Sequence, residues 1–209
     1  MKNLIDYTFE ELANAIYKKG ESLGIDKITD KTKWREFVVA EKLGHKVFPK
    51  ASAGHDDSKR GADAHDAATG RKQEYKSQAI VDSQLKNLFE SKKNEKDNYA
   101  PFTVKGVYNG AYTVEAIDSY KDIDHLINIF YQELLVLSIK VNTDEVITQL
   151  KNGLSKKKPG STTNGNAINI NLRDTDKYVV VYKNQEWFDS KSKDISSSKD
   201  ISSPLFYYQ

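Results

Sequence analysis

Residues 61–78, GADAHDAATGRKQEYKSQ, restrict the fold of this chain more than any other segment. Two short runs of β-compatible residues flank a turn at Thr69-Gly70, and this pattern predicts a β-hairpin. Because side chains alternate along a strand, Glu74 and Lys76 share one face. The hairpin therefore predicts a charged face on its second strand.

The register of this hairpin selects the acid that faces Glu74 and Lys76. If the turn closes at Thr69-Gly70, paired residue numbers sum to about 139. Asp63 then lies opposite Lys76, and His65 lies opposite Glu74. A slip of one residue would instead place Asp66 on this face, so Asp63 is preferred to Asp66.

Two carboxylates and a lysine on one face are a typical setting for a divalent cation. Neighbouring carboxylates repel, and one ammonium offsets only part of that repulsion. Magnesium takes one or two carboxylates and completes its octahedron with water and substrate phosphate. The alternative is a solvated, charged hairpin face. The letters Glu-Tyr-Lys alone carry little weight, since acid-x-Lys also begins at Asp57, Glu90 and Asp189.

Composition excludes several other chemistries. The 209 residues include no cysteine, which excludes disulfides, thiolate zinc sites, iron–sulfur clusters and a cysteine nucleophile. The net charge is only +2, so a purely electrostatic nucleic-acid binder is not indicated. No apolar run is long enough for a membrane span, and the first 20 residues lack the features of a signal peptide. We expect a cytoplasmic protein.

The rest of the chain predicts an α/β fold. The clearest short-range signal is a hairpin at Asn109-Gly110, between PFTVKGVY and AYTVEAID. Residues 125–141 predict one or two strands, with a buried helix as the alternative. The other predicted elements are helices from Thr8, over 30–43 with Trp34, Phe37, Val38 and Leu43 buried, over about 79–93 and over about 143–154, and strands over 45–48, 167–171 and 177–183. Residues 189–203, in which KDISS occurs twice, predict a poorly ordered segment.

Residues 31–90 resemble the PD-(D/E)xK nuclease superfamily, and within it the type II restriction endonucleases. The shared order is a helix and strand in WREFVVAEKLGHKVF, an Asp strand and a Glu-x-Lys strand in GADAHDAATGRKQEYKS, and then a helix. Ala62 stands where the family often has proline. The resemblance implies a restriction-endonuclease-like core, in which a mixed central β-sheet is flanked by helices.

The resemblance also implies site residues and partners. Asp63 and Glu74 would bind Mg²⁺, for which Mn²⁺ can substitute, and Lys76 would be catalytic. A further acid on the first core helix would be Glu36, with Glu41 as the second choice. The implied activity is sequence-specific cleavage of double-stranded DNA by a homodimer. The alternatives are another nuclease of the superfamily, such as a junction resolvase or repair nuclease, and a non-catalytic DNA-binding protein with a nuclease-like core.

The predicted organisation is one nuclease domain over residues 1–188, followed by a low-complexity tail over 189–209. The catalytic core covers about 31–118, and recognition or dimerisation elements cover about 119–188. A basic loop in the second part suits DNA contact, with a solvated loop as the alternative. The predicted DNA-binding residues are Lys156, Lys157, Lys158, Ser161, Thr162, Thr163 and Asn164 of that loop, with Arg71 and Gln78 from the hairpin.

Overall fold

The computed structural model describes residues 15–16, 18–20, 22, 31–48, 62–90, 102–109, 111, 113–156 and 166–197. The first group, within 15–22, is helical. The remaining helices are α1 (Lys31–Leu43), α2 (Asp82–Glu90), α3 (Val114–Asp118), α4 (Thr143–Ser155) and α5 (Gln185–Ser197). The strands are β1 (His45–Val47), β2 (Ala64–Asp66), β3 (Lys72–Ile80), β4 (Thr103–Tyr108), β5 (Asp124–Tyr131), β6 (Leu134–Val141), β7 (Asn166–Asn171) and β8 (Tyr178–Lys183).

The fold is mixed α/β, with a mixed central sheet flanked by helices. Six strands form this sheet in the order β1-β2-β3-β5-β6-β8, and β4 pairs with β7 in a separate sheet. The β3–β5 pair is parallel, and the other pairs of the central sheet are antiparallel. Every residue of β5 is buried, as expected for a strand covered on both faces.

Two apolar clusters form the core. The smaller one joins α1 to the central sheet through Val39, Ala40, Tyr75, Leu126 and Phe130. The larger one joins the central sheet to the β4–β7 sheet and α4, with Val104, Ile127, Ile129, Leu150 and Ile168 among its fully buried members. The central sheet is therefore enclosed between α1 and the β4–β7 layer.

The helix over 31–43 is confirmed; of its predicted buried residues, Val38 and Leu43 pack against the smaller cluster without being fully buried. Val39 and Ala40 are buried together with Glu36, whereas Trp34, Phe37, Val38 and Leu43 are only partly buried. The helix ends at Gly44, whose φ of 71° is the left-handed conformation that glycine adopts without strain. The inward face of α1 thus carries a carboxylate.

The hairpin predicted at Asn109-Gly110 is wrong. Its first half is β4, but residues 114–118 are helical, and β4 pairs with β7. The side chain of Thr113 accepts a hydrogen bond from the Ala116 N–H and caps α3 at its N-terminus. Burial of the inward face of β4 determines its pairing more strongly than the turn does.

Three other regions also test the predictions. Residues 125–141 form two strands, β5 and β6, joined by Gln132 and Glu133 with φ of 47° and 63°. The prediction of a poorly ordered segment from 189 onward is wrong as far as Ser197, because α5 covers it and is anchored by buried Trp187 and Phe188. The predicted helix over about 79–93 is shorter at its start, since β3 continues to Ile80. No helix in the described ranges is long and apolar enough to cross a membrane.

Candidate active site

The hairpin pairs two residues away from the predicted register. Ala64 lies opposite Gln73 and His65 opposite Lys72, so Asp63 aligns with Glu74 rather than with Lys76. The turn is longer than predicted, because the Asp66 N–H bonds to the Arg71 carbonyl. A two-residue shift leaves each side chain on its original face. Asp63 therefore remains beside Glu74.

The two alternative aspartates have different surroundings. The Asp63 carboxylate accepts a hydrogen bond of 2.8 Å from the Tyr75 N–H and so faces β3. The Asp66 carboxylate accepts hydrogen bonds of 2.8 Å from the Ala68 N–H and the Thr69 hydroxyl. Asp66 is thus a turn residue, and these turn contacts lower the pKa of its carboxyl.

Glu74 is a buried acid with a strongly perturbed pKa. Its side chain is 7% exposed, and burial followed by the nearby charge of Asp63 raises its pKa to about 8. The Lys76 ammonium donates a hydrogen bond to Glu74 Oε1, and its charge opposes the rise without cancelling it. One lysine therefore does not compensate the negative charge at this site.

The third acid whose charge acts on Glu74 is Glu36, on helix α1. It lies on the inward face of α1, only 6% exposed. Its charge raises the pKa of Glu74 and of the Tyr75 phenol, although burial is the larger cause in both. Glu41, the second choice on this helix, has a side chain that is 72% exposed and pairs with Lys19. The structure thus brings Glu36, and not Glu41, within electrostatic reach of Glu74.

Lys76 lies against a wall that the sequence did not predict. Its ammonium nitrogen is 4.7 Å from the centre of the Tyr108 ring. A Cβ at Gly106 would lie 3.2 Å from Lys76 Cγ, so any larger residue there would push against this side chain. The Tyr108 hydroxyl lies 3.1 Å from Nδ1 of buried His125. The alternation of small or apolar residues along β4 could be recognised in the sequence. Its packing against β3 could not.

A second cluster lies at the end of the sheet beside the acids. Asp124 is paired with Arg71 at 2.7 Å and also accepts a hydrogen bond of 3.2 Å from Gln73 Nε2. Lys140 lies 3.9 Å from the same carboxylate. The Arg71 side chain remains 54% exposed, so one edge of its guanidinium is anchored while the rest faces solvent. An anchored, exposed guanidinium suits contact with phosphate.

The structure covers three of the predicted DNA-binding residues. Arg71 is the exposed cation just described. Gln78 Oε1 accepts a hydrogen bond of 2.8 Å from the Lys105 N–H, which fixes β4 beside β3. Lys156 is exposed and ends α4. The rest of the predicted loop, Lys157, Lys158, Ser161, Thr162, Thr163 and Asn164, lies outside the described residues.

Asp63 and Glu74 are carboxylates that could take part in holding a divalent cation. Among the described residues, no group of three or more His, Asp or Glu side chains is placed to hold a metal alone. Magnesium commonly uses one or two carboxylates and keeps several waters. Asp63 and Glu74, whose charges repel one another, meet that smaller requirement.

Comparisons with known proteins add no family assignment. No protein-family model matches the chain, and no curated protein matches it.

Proposed function

We propose that this protein is a divalent-metal-dependent deoxyribonuclease with a restriction-endonuclease-like core. The observation that carries the proposal is buried Glu74: Lys76 contacts it directly, yet burial and the nearby charges of Asp63 and Glu36 raise its pKa to about 8. An uncompensated, buried carboxylate destabilises a fold. A bound cation would reverse that cost, and this favours a metal site over a structural ion pair.

Each side chain has a role that follows from its position. Asp63 and Glu74 would hold Mg²⁺, and a bound Mg²⁺ supplies Lewis acidity toward a phosphoryl oxygen and a more acidic water. The Lys76 ammonium stands beside Glu74, where it would orient the attacking water or stabilise charge developing on phosphate. Glu36, on α1, would add negative charge that strengthens cation binding.

Duplex DNA is the proposed substrate. The exposed Arg71, anchored by Asp124, and Lys140 provide positive charge at the sheet end that bears the acids. Phosphate contacts of this kind position a backbone without reading sequence. Within this class, site-specific cleavage by a homodimer of the type II kind is the activity we propose, with the basic loop beyond Lys156 as the reading element.

A digest of long, mixed-sequence DNA tests the proposal. The wild-type protein should produce discrete fragments with Mg²⁺ and none with EDTA, and sequencing of the ends should show one recurrent site. Asp63→Asn and Lys76→Met should each lower the rate by at least about 100-fold, because each removes a group acting on the transition state. Circular dichroism should show that both variants remain folded.

Two acids provide matched controls for these variants. Glu41→Gln changes an exposed acid on α1, and Asp66→Asn changes the acid that bonds within the turn. Both should cleave at the wild-type rate once folding is verified. Nicking only at branched or damaged DNA would replace the restriction activity by a repair-type nuclease. Binding without metal-dependent cleavage would refute the enzymatic proposal.

A further inference from the structure

We infer that Tyr108 is a positioning residue for Lys76, holding the lysine ammonium next to Glu74 through the face of its ring. This inference rests on the proposed nuclease function. A lysine side chain is a flexible stem with a compact charge, and it is precise only when its surroundings restrict it. Around Lys76, that restriction comes from β4, in the second sheet.

Two alternate positions of β4 contact this lysine. Gly106 lies close to the aliphatic part of the Lys76 side chain. A Cβ added at Gly106 would lie 3.2 Å from Lys76 Cγ and 3.4 Å from Lys76 Cβ. Tyr108, two residues further, presents its ring 4.7 Å from Nζ. Because residues two apart on a strand share a face, the pair forms a slot along Lys76. The Gln78–Lys105 hydrogen bond fixes the slot to the strand that carries the lysine.

The Tyr108 ring is itself held in place. His125 Nε2 lies 3.0 Å from the Tyr120 carbonyl, which can only accept, so Nε2 carries the proton. His125 Nδ1 is then the acceptor for the Tyr108 hydroxyl at 3.1 Å. Burial lowers the pKa of His125 to about 4, so this arrangement persists at neutral pH. Edge-on packing against Tyr120 and His125 holds the ring under the ammonium, and the hydrogen bond adds to that restraint.

An aromatic face suits this site better than another acid would. The negative ring face attracts an ammonium without carrying a formal charge. A carboxylate in its place would add to the repulsion among Glu36, Asp63 and Glu74 and would compete for the cation. The ring therefore holds Lys76 while leaving the charge of the acid cluster unchanged.

The first test combines cleavage rates with a spectroscopic signal of Lys76. Single-turnover cleavage should fall about 10- to 30-fold in Tyr108→Leu and remain within about threefold of wild type in Tyr108→Phe. In protein labelled with ¹³C-lysine, the Lys76 methylene signals, assigned by their loss in Lys76→Arg, should be shifted upfield by the ring. That shift should persist in Tyr108→Phe and vanish in Tyr108→Leu.

Tyr120→Leu is the matched control. It removes another buried ring, which packs edge-on to Tyr108 at 5.3 Å, and should preserve the Lys76 shift. If Tyr108→Leu does not fold, pentafluorophenylalanine at position 108 keeps the ring volume and abolishes its negative face. Its cleavage rate should then fall about tenfold below that of Tyr108→Phe.

The outcomes separate this inference from the proposed function. A wild-type rate in Tyr108→Leu, or in the fluorinated protein where Tyr108→Leu does not fold, would overturn the positioning role while leaving the nuclease intact. Equal losses in Tyr108→Leu and Tyr120→Leu, with an unshifted Lys76 signal, would likewise overturn it. Absence of cleavage by the wild-type protein would refute the nuclease, and with it the role of Tyr108 in the reaction.

Discussion

Replacing Glu74 with glutamine should make the metal-free protein more resistant to alkaline pH. The unfolded glutamate loses its proton near pH 4.5, whereas the folded one keeps it until about pH 8. Between these values the folded state binds more protons, so the free energy of unfolding decreases as pH rises. Glutamine keeps the shape of the side chain and has no proton to lose.

The magnitude follows from the interval between the two pKa values. From pH 6 to pH 9, Glu74 titrates over about two pH units at about 1.4 kcal/mol each, which gives a loss of about 3 kcal/mol in the wild type. The difference in unfolding free energy between Glu74→Gln and wild type should therefore rise by about 3 kcal/mol across this range. Contributions from His125 and the buried tyrosines cancel in the difference.

Urea denaturation in EDTA at pH 6, 7.5 and 9 measures this difference directly. Glu41→Gln is the control, because its side chain is 72% exposed and its substitution should leave the pH dependence of wild type unchanged. Parallel stability curves for wild type and Glu74→Gln would refute the reasoning. They would mean that Glu74 ionises at an ordinary pH and is fully compensated by Lys76.

Three further predictions follow from other contacts. Gly106→Ala places a Cβ 3.2 Å from Lys76 Cγ. The cleavage rate should therefore fall several-fold, while the dissociation constant for DNA changes less than about twofold. An unchanged cleavage rate would contradict the close contact. The apparent affinity for Mg²⁺, measured by calorimetry, should increase up to about tenfold per pH unit between pH 6 and 8, because Glu74 must release its proton before it can bind the ion. An affinity that does not change with pH would argue against Glu74 as a ligand. Gln132→Gly should raise the free energy of unfolding by about 1 kcal/mol in urea titrations, because φ is 47° at this position and glycine adopts this conformation without strain. A loss of stability would mean that the glutamine side chain makes stabilising contacts.

Local patterns were sufficient where the structure depends on neighbours in sequence. The alternation over 61–78 predicted a strand pair with Asp63, Glu74 and Lys76 on one face, and this survived a register shift because the shift was even. The apolar run over 125–141 favoured one or two strands over a buried helix, and the structure has two, β5 and β6, side by side in the central sheet.

Tertiary packing decided what the patterns did not. Asn109-Gly110 favours a hairpin, yet β4 pairs with β7, more than 50 residues away, because its inward residues are buried against the central sheet. Nothing local indicates that the parallel pairing of β3 with β5 aligns Glu74 with His125. Low-complexity composition after 188 suggested disorder, but Trp187 and Phe188 anchor the helix on Phe89 and Tyr131.

The charges around Glu74 differ from those of a simple structural ion pair between an acid and a lysine. In a simple ion pair, the Lys76 ammonium would stabilise the charged form of Glu74 and lower the pKa of this acid. Here Lys76 makes that contact, and the pKa of Glu74 nevertheless rises, because burial and Asp63 outweigh the lysine. The nearby charge of Glu36 adds to the rise in the pKa of Glu74. A proton keeps Glu74 largely neutral near pH 7, and a divalent cation is the alternative compensation that we propose for Glu74 and Asp63.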